Sequence, residues 1–468
     1  MSRVLAFDFG ASTGRAILGE YENGRLTYRE IHRFDNELVK EKGKLCWNFP
    51  YLLSEIKKAV DTAGDVDSLA FDTWGVDYGI IDKDGKLASL PVCYRDTRTN
   101  GAPERLFEKI SSERLYALTG NQIMNINTLF QLSVEENDGD VFLFMPDLFA
   151  YFLCGVKSAE QTIASTSQML DLEKVCWQKE AFALTGKNEK MLPPIVKSAS
   201  VAGEYKGIKV IKVAGHDTQC AVCAMPENDG ETPAFLSCGT WSLIGCENDL
   251  PILSEKSMND ELSNELGANG KINYLKNISG LWLIQEIRRN FRKDGKDYSY
   301  NDMEQLARRE KPFGFFIDPD DPVFASPENM PEKIRSFCEK TGQGTPETDG
   351  ALVRCIYESL AMKYRFAIGQ LEDNTGKKFD VLHLLGGGTK DSFLCQMTAD
   401  SLNIPVTAGP TEATALGNIM LQLIALGEIE SVKEGRRILA SSESVKTYLP
   451  ENSEEFASAY KKFENIIK

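Results

Sequence analysis

The stretch Val4-Leu5-Ala6-Phe7-Asp8-Phe9-Gly10-Ala11-Ser12-Thr13-Gly14-Arg15 decides how the rest of the chain is read. An apolar run over 4–9 stops at glycine and hydroxyl residues, and a second apolar run follows over 15–20, which predicts strand, tight turn, strand. A third run over 26–34 alternates in polarity and extends the sheet. The turn also has the chemistry of a phosphate loop. Gly10 and Gly14 leave room for the backbone to approach a phosphate, Ser12 and Thr13 offer hydroxyl and amide donors, and Asp8 at the strand end suits Mg²⁺ held through water. The plain alternative is a hairpin bend made of ordinary turn formers. The stretch contains neither GxxxxGK[ST] nor GxGxxG.

Further along, the pattern predicts a helix over 50–62, strands over 68–71 and 78–81, and helices near 104–109, 128–136 and 147–153. A buried strand over 210–214 runs into Gly215-His216-Asp217-Thr218, where a helix should begin. The opening order then recurs: strand 234–238, a bend at Gly239-Thr240, strand 242–246. Two related α/β halves are expected, 1–228 and 229–468, with a hinge in the polar stretch 225–232. The second half carries a long helix over 349–375, with Leu352, Ile356, Leu360, Tyr364 and Ile368 on one stripe and Gly376 as its stop. A strand over 381–385 enters Gly386-Gly387-Gly388, and helices follow over 391–402 and 412–426. Mixed α/β layers fit this order better than a bundle or a barrel.

Composition narrows the function. A chain of 468 residues has room for two to four domains. A net charge of −16 argues against nucleic acid, whose phosphates call for clustered Lys and Arg. No apolar h-region opens the chain and no run approaches 18 apolar residues, so neither a signal peptide nor a membrane span is expected, and the cytoplasm is the expected location. The 11 cysteines then read as reduced, small apolar residues. Cys220-Ala221-Val222-Cys223 is one CxxC, without the second pair that zinc would need, in a segment that reads as buried helix.

Four further motifs carry possible chemistry. Gly239-Thr240 is a second bend that pairs with the first if the halves face each other. Gly386-Gly387-Gly388-Thr389 removes side chains where an adenine ring or a phosphate lies flat on the backbone, or is a flexible strand-to-helix connection. Asp217 suits a general base for a sugar hydroxyl, kept ionised by the helix dipole, or is an ordinary N-cap. Asp72-Thr73-Trp74-Gly75-Val76-Asp77 and Tyr94-Arg95-Asp96 offer carboxylates, a guanidinium and an aromatic ring for a polyol, or are solvated loops.

Taken together these residues resemble the FGGY family of carbohydrate kinases. The matching stretches run from 8 to about 427: FDFGASTGR, EIHRF, DTWGVDYG, LPVCYRDTRTNG, NTLFQL, MPDLFAYFL, Ala164–Thr166 with Trp177, GHDT, SCGTWSLIG, LKNISGLWLIQ, GGG and IPVTAGPTEATALGNI. The resemblance implies a two-domain actin/Hsp70/hexokinase-like (ribonuclease H-like) fold with an interdomain cleft, and a small ketose and ATP as partners, with Mg²⁺. It implies a monomer or small homo-oligomer. By the same resemblance Ala11, Ser12, Thr13, Gly14, Arg15, Thr240, Gln285 and Gly387 contact ATP. Gly75, His216, Asp217, Thr218 and Asn277 contact the sugar, with Asp217 as proton acceptor. Asp8 is associated with the metal, and Arg95 and Asp96 are secondary sugar-site candidates. DTWGVD with YRDTRTNG is the most specific part and points to phosphorylation of the C1 hydroxyl of L-rhamnulose. A related ketose such as L-fuculose is the alternative. An actin- or chaperone-like ATPase is the reading from another class.

Overall fold

The computed structural model describes residues 1–228 and 230–467, so the expected hinge over 225–232 lies partly outside the described residues, at position 229. The chain forms two compact units. The first comprises Met1–Glu227, Glu247–Leu275 and Glu412–Glu443; the second comprises Asn228–Cys246, Lys276–Thr411 and Ser444–Lys468. Against the expected contiguous halves, the chain thus returns to the first unit twice. The physical reason for the second return is a helix, Ala413–Leu426, whose residues Ala415, Leu416, Ile419, Leu421 and Leu423 are buried.

In the first unit a six-stranded sheet runs in the order Ser200–Tyr205, Ile208–Lys212, Ser68–Thr73, Ser2–Phe9, Thr13–Glu22, Arg25–Asp35. The first three strands of the chain form an antiparallel meander, while Ser2–Phe9, Ser68–Thr73 and Ile208–Lys212 are parallel neighbours. Alternation along Ser2–Phe9 assigns its two faces. Phe7 and Phe9 point one way, into a cluster with Phe71 and Phe149 whose ring centroids lie 4.7–5.1 Å apart in neighbouring pairs. Val4, Ala6 and Asp8 point the other way, as does Gly19, over which Ile419 of the helix Ala413–Leu426 sits. Burial on both faces explains why the strand reads as a continuous apolar run. The parallel strands all end on one edge, and that edge carries Asp8, Asp72 and, after Ile208–Lys212, the segment Gly215–Asp217.

The second unit repeats the scheme. Pro233–Cys238 pairs antiparallel with Trp241–Asn248 and parallel with Val381–Leu385, which is followed by Val406–Ala408 and the antiparallel Lys446–Tyr448. The long helix Asp349–Thr375 has the expected bounds: the Thr348 side chain accepts from Ala351 N at its start and Gly376 ends it with φ 69°. Among the described residues no helix is long and apolar enough to cross a membrane.

Helix Ala413–Leu426 packs on helix Asp217–Cys223 so closely that a Cβ built at Gly417 would overlap the Cys220 carbonyl oxygen. We therefore expect Gly417→Ala to destabilise the protein by about 1–3 kcal/mol or more, because the obstacle is backbone and cannot rotate away. Thermal melting followed by circular dichroism checks this, as a fall in Tm of several degrees.

Candidate active site

The hairpin turn between Ser2–Phe9 and Thr13–Glu22 is closed by Gly10 N donating to Thr13 O at 2.9 Å, and Asn36 braces it by donating to Gly10 O and Ser12 O at 3.0 Å. Gly14 has a structural need, since a Cβ there would overlap the Phe34 ring. Gly10 has none of that kind: a Cβ would only touch Thr13 O at 3.5 Å. Ser12 is exposed and Ala11 and Thr13 half-buried, so the tip of the turn is open to a ligand. Arg15 stands opposite Asp8 in the ladder, and its guanidinium bonds both Asp8 and Glu412. Burial works against its charge, but the two carboxylates outweigh that and raise its pKa.

Asp8 is also in register with Asp72 on the next strand. Asp72 is fully buried; Asn418 donates to its Oδ2 at 2.7 Å while Oδ1 has no partner. Burial, and then Asp8, push its pKa well above the usual carboxylate range. The loop that follows offers carboxylates that by type suit a polyol or solvent, and the structure gives them to neither. Asp77 is 1% exposed, and its carboxylate accepts from the indole nitrogens of Trp47 (2.7 Å) and Trp74 (3.0 Å), from Tyr94 N (3.1 Å) and from Gln131 (2.9 Å). Neither aspartate of the motif faces outward, because the loop turns its carboxylates inward to organise itself. Between Phe71 and Ile81 the only residue that is not buried is Gly75. Asp96, likewise, spends its oxygens on Leu45 N (2.7 Å) and Arg98 N (2.9 Å), while Arg95 is exposed beside the Tyr94 ring.

The segment Gly215–Thr218 is held by buried acids that the sequence reading passed over. Glu160 accepts from Gly215 N (2.9 Å), Thr162 N and Ile163 N, and Thr162 Oγ1 lies 3.4 Å from His216 N. Asp217 occupies the first position of the helix Asp217–Cys223, whose N-cap is His216, so the capping reading does not describe it. Its Oδ1 accepts from Thr218 N at 2.6 Å and lies 3.5 Å from His216 Nε2. The helix dipole, expected to keep this carboxylate ionised, does not hold it at the ordinary carboxylate value, although Asp217 stays ionised at neutral pH. The helix has seven residues, and burial wins, pushing Asp217 up to about 6, with His216 opposing and Asp8 adding to the rise. On its other side His216 Nδ1 donates to Glu265 Oε2 at 2.9 Å. Cys220 and Cys223 lie buried in the same helix, and burial pushes the Cys223 thiol up to about 12.

The remaining expected residues belong to the second unit. The bend at Gly239–Thr240 is stitched to the start of the helix Trp282–Lys293: Thr240 O accepts from Gly280 N (3.2 Å) and Trp282 N (3.1 Å), and Gly239 O accepts from Leu281 N (3.0 Å). Gln285 rides half-buried on that helix, and Asn277 is half-buried on the strand Ile272–Ser279. The glycine turn lies beside the same bend. Gly386 takes φ 82°, a Cβ at Gly388 would overlap the Cys238 thiol, and a Cβ at Gly387 would meet nothing within 4 Å. Two of the three glycines thus answer to the fold, and Gly387 faces open space.

Comparison with known proteins decides the family. Residues 3–227 match the N-terminal domain of the FGGY family of carbohydrate kinases, and 234–426 match its C-terminal domain. The chain belongs to the FGGY family. Among curated proteins this FGGY kinase is 38% identical to a rhamnulokinase of Bacteroides thetaiotaomicron, with 99% of each chain covered, and 37% identical to one of Lactiplantibacillus plantarum, covering 100% of this chain and 98% of that protein. Among solved structures it is similar to a ligand-bound xylulose kinase of Lactobacillus acidophilus (TM-score 0.80, 15% identity, 100% and 98% covered) and to Plasmodium falciparum glycerol kinase with ADP (TM-score 0.75, 15% identity, 99% and 97% covered). These likenesses give it the two-domain mixed α/β fold of the family, and the protein is a carbohydrate kinase.

The glycine turn separates structural from ligand-related constraint. Gly388→Ala should lower Tm by several degrees through its overlap with Cys238, whereas Gly387→Ala should leave Tm within about a degree, since surface changes of this kind stay within about 0.5 kcal/mol. Thermal melts of the two variants side by side give the answer.

Proposed function

We propose that this kinase transfers the γ-phosphoryl group of ATP to the C1 hydroxyl of L-rhamnulose, giving L-rhamnulose 1-phosphate and ADP. The supporting observation is the likeness to rhamnulokinases along the whole chain, at 37–38% identity. In this reading Asp217 accepts the C1 hydroxyl proton as the phosphoryl group arrives. A base with a pKa near 6 suits that task, because it is ionised at neutral pH yet basic enough to take a proton in the transition state. His216, Thr218, Asn277 and the Gly75 amide orient the ketose.

Phosphoryl transfer passes through a loose transition state, so positioning and charge neutralisation are the main demands. The hairpin residues Ala11–Arg15 and the bend at Thr240 supply amides and hydroxyls for the phosphates. Gln285 and the open face of Gly387 receive the rest of the nucleotide. Among the described residues no group of three or more His, Cys, Asp or Glu is spaced to cage a metal ion. An Mg²⁺ ion that keeps its waters and arrives on the triphosphate would take Asp8, at the strand end beside the hairpin turn, as its protein contact. When bound it neutralises charge on the β- and γ-phosphates.

Four outcomes test the reading. With ATP and a panel of ketoses, ADP release should be fastest with L-rhamnulose; faster turnover of L-fuculose moves the substrate, and release that ignores ketose points to an ATPase instead. Asp217→Asn should lower kcat by about 100-fold or more with ketose binding retained, the range for loss of a general base. In the wild type kcat/KM should rise with pH through about 6, since Asp217 is active only when deprotonated. Gly387→Ala, stable as above, should raise KM for ATP by roughly 10-fold, about 1.4 kcal/mol of lost contact.

A further inference from the structure

Glu265 lies in the strand Ser263–Leu266, every residue of which is buried. The strand is anchored on both flanks, with Leu266 N donating to Ser165 Oγ at 2.9 Å and Asn264 N to Gly120 O at 2.8 Å. Opposite Glu265 in the hairpin stands Asn273. The Asn273 amide bonds Gln219 Oε1, and Gln219 Nε2 donates to Glu265 Oε2 at 2.7 Å, a chain of three side chains that ends on Glu265. The same Oε2 accepts from His216 Nδ1 at 2.9 Å, and the far ring nitrogen of His216 faces Asp217 Oδ1 at 3.5 Å. All five residues belong to the first unit.

We propose that Glu265 is a positioning residue of the phosphoryl-transfer reaction: by binding His216 Nδ1 it fixes the imidazole so that Nε2 faces the carboxylate of the base Asp217. This rests on the reading of Asp217 as the base. The charged groups acting on His216 are Glu265, Asp217 and Glu160, all acids. Burial works against a charged imidazole here, but Glu265 outweighs it, and the pKa of His216 is raised above its ordinary value. In its charged form His216 carries hydrogens on both nitrogens. Its positive charge opposes the burial that pushes Asp217 up, and so keeps the base ionised at neutral pH. A bare hydrogen-bond anchor would need only an acceptor at Nδ1; a carboxylate there also supplies the charge that retains the second proton.

The substitution Glu265→Gln keeps the acceptor and removes the charge. With saturating ATP, its kcat/KM for the ketose should have an acid limb shifted upward by about one pH unit, a loss of roughly 5-fold near pH 6 that approaches 10-fold at lower pH, and recovery by about pH 8.5. The direction follows because a neutral His216 no longer favours the Asp217 carboxylate. A loss of equal size at every pH, with the limb unmoved, is the signature of a structural role alone and overturns the proposal. In a His216→Gln background Glu265→Gln should produce no further shift, and a full additional shift there also overturns it. The wild type offers a check that no folding defect can obscure. The chain has three histidines, so ring-nitrogen NMR on histidine-labelled protein can follow His216 directly. Both of its nitrogens should be protonated at pH 7, and a neutral ring there overturns the proposal. An active Asp217→Asn enzyme would instead remove the base assignment, which keeps the two failures apart.

Discussion

Asp8 and Asp72 stand side by side on adjacent parallel strands, and Asp217 follows the third, so one sheet edge brings together three carboxyls, and burial penalises the negative charge of Asp72 and Asp217. The first unit is built around the answer. Arg15 comes back along the hairpin to neutralise Asp8, with Glu412 on its other amine. Asn418 donates to Asp72, where a neutral amide serves as partner to a carboxyl whose pKa lies far above the ordinary range. His216 serves Asp217. Two of these seven groups, Glu412 and Asn418, come from the segment Glu412–Glu443, which is a polar reason for the chain to return to this unit beside the apolar one.

The same backbone scheme appears in both units: an antiparallel hairpin whose first strand has a parallel neighbour on its other side. This places a hairpin turn next to the loop after the parallel strand, where backbone groups leave the ladder and side chains or ligands take over. In the first unit that edge carries acids. In the second it carries glycine, a threonine and the start of a helix, with the Cys238 thiol beneath Gly388 and the Ser242 hydroxyl beneath Gly280. One edge thus presents buried carboxyls, and the other presents bare backbone at Gly387.

Features written locally were legible in the sequence. The opening hairpin follows from an apolar run broken by turn formers, and the helix Asp349–Thr375 from a stripe of apolar residues between a threonine cap and a glycine stop. Pairings between distant segments were not. Nothing near Glu265 points to His216, 49 positions earlier, because that contact depends on how one hairpin lies against one helix. The acids of Asp72–Asp77 look like polyol ligands by type, yet sequence does not tell which way a loop turns its carboxylates. The helix Trp282–Lys293, which carries Gln285, went unread although Leu283, Ile284, Ile287 and Phe291 have helical spacing. The dipole argument for Asp217 fails on magnitude, since the first turn of a short helix offers well under the several kcal/mol that burying a carboxylate costs.

Val76 shows how far the first unit goes to present one peptide group. Asp77 N donates to Gly75 O at 2.8 Å across a three-residue turn whose centre is Val76 at φ 66°, a conformation that a β-branched residue reaches only under strain of about 1–3 kcal/mol. The turn is clamped from both sides: Val76 N donates to Thr166 Oγ1 at 3.1 Å, Thr128 Oγ1 donates to Val76 O at 2.6 Å, and the four donors on the Asp77 carboxylate hold the next residue. A glycine stands before it because a Cβ at 75 would press on Thr166 at 3.3 Å. The outcome is a main chain, not a side chain, at the one partly open point of a buried loop. A main-chain donor has no rotamers to lose on binding, so the orienting contact proposed for the ketose at Gly75 costs little entropy when the sugar arrives. The ordering was done during folding, by Asp77 and the two threonines.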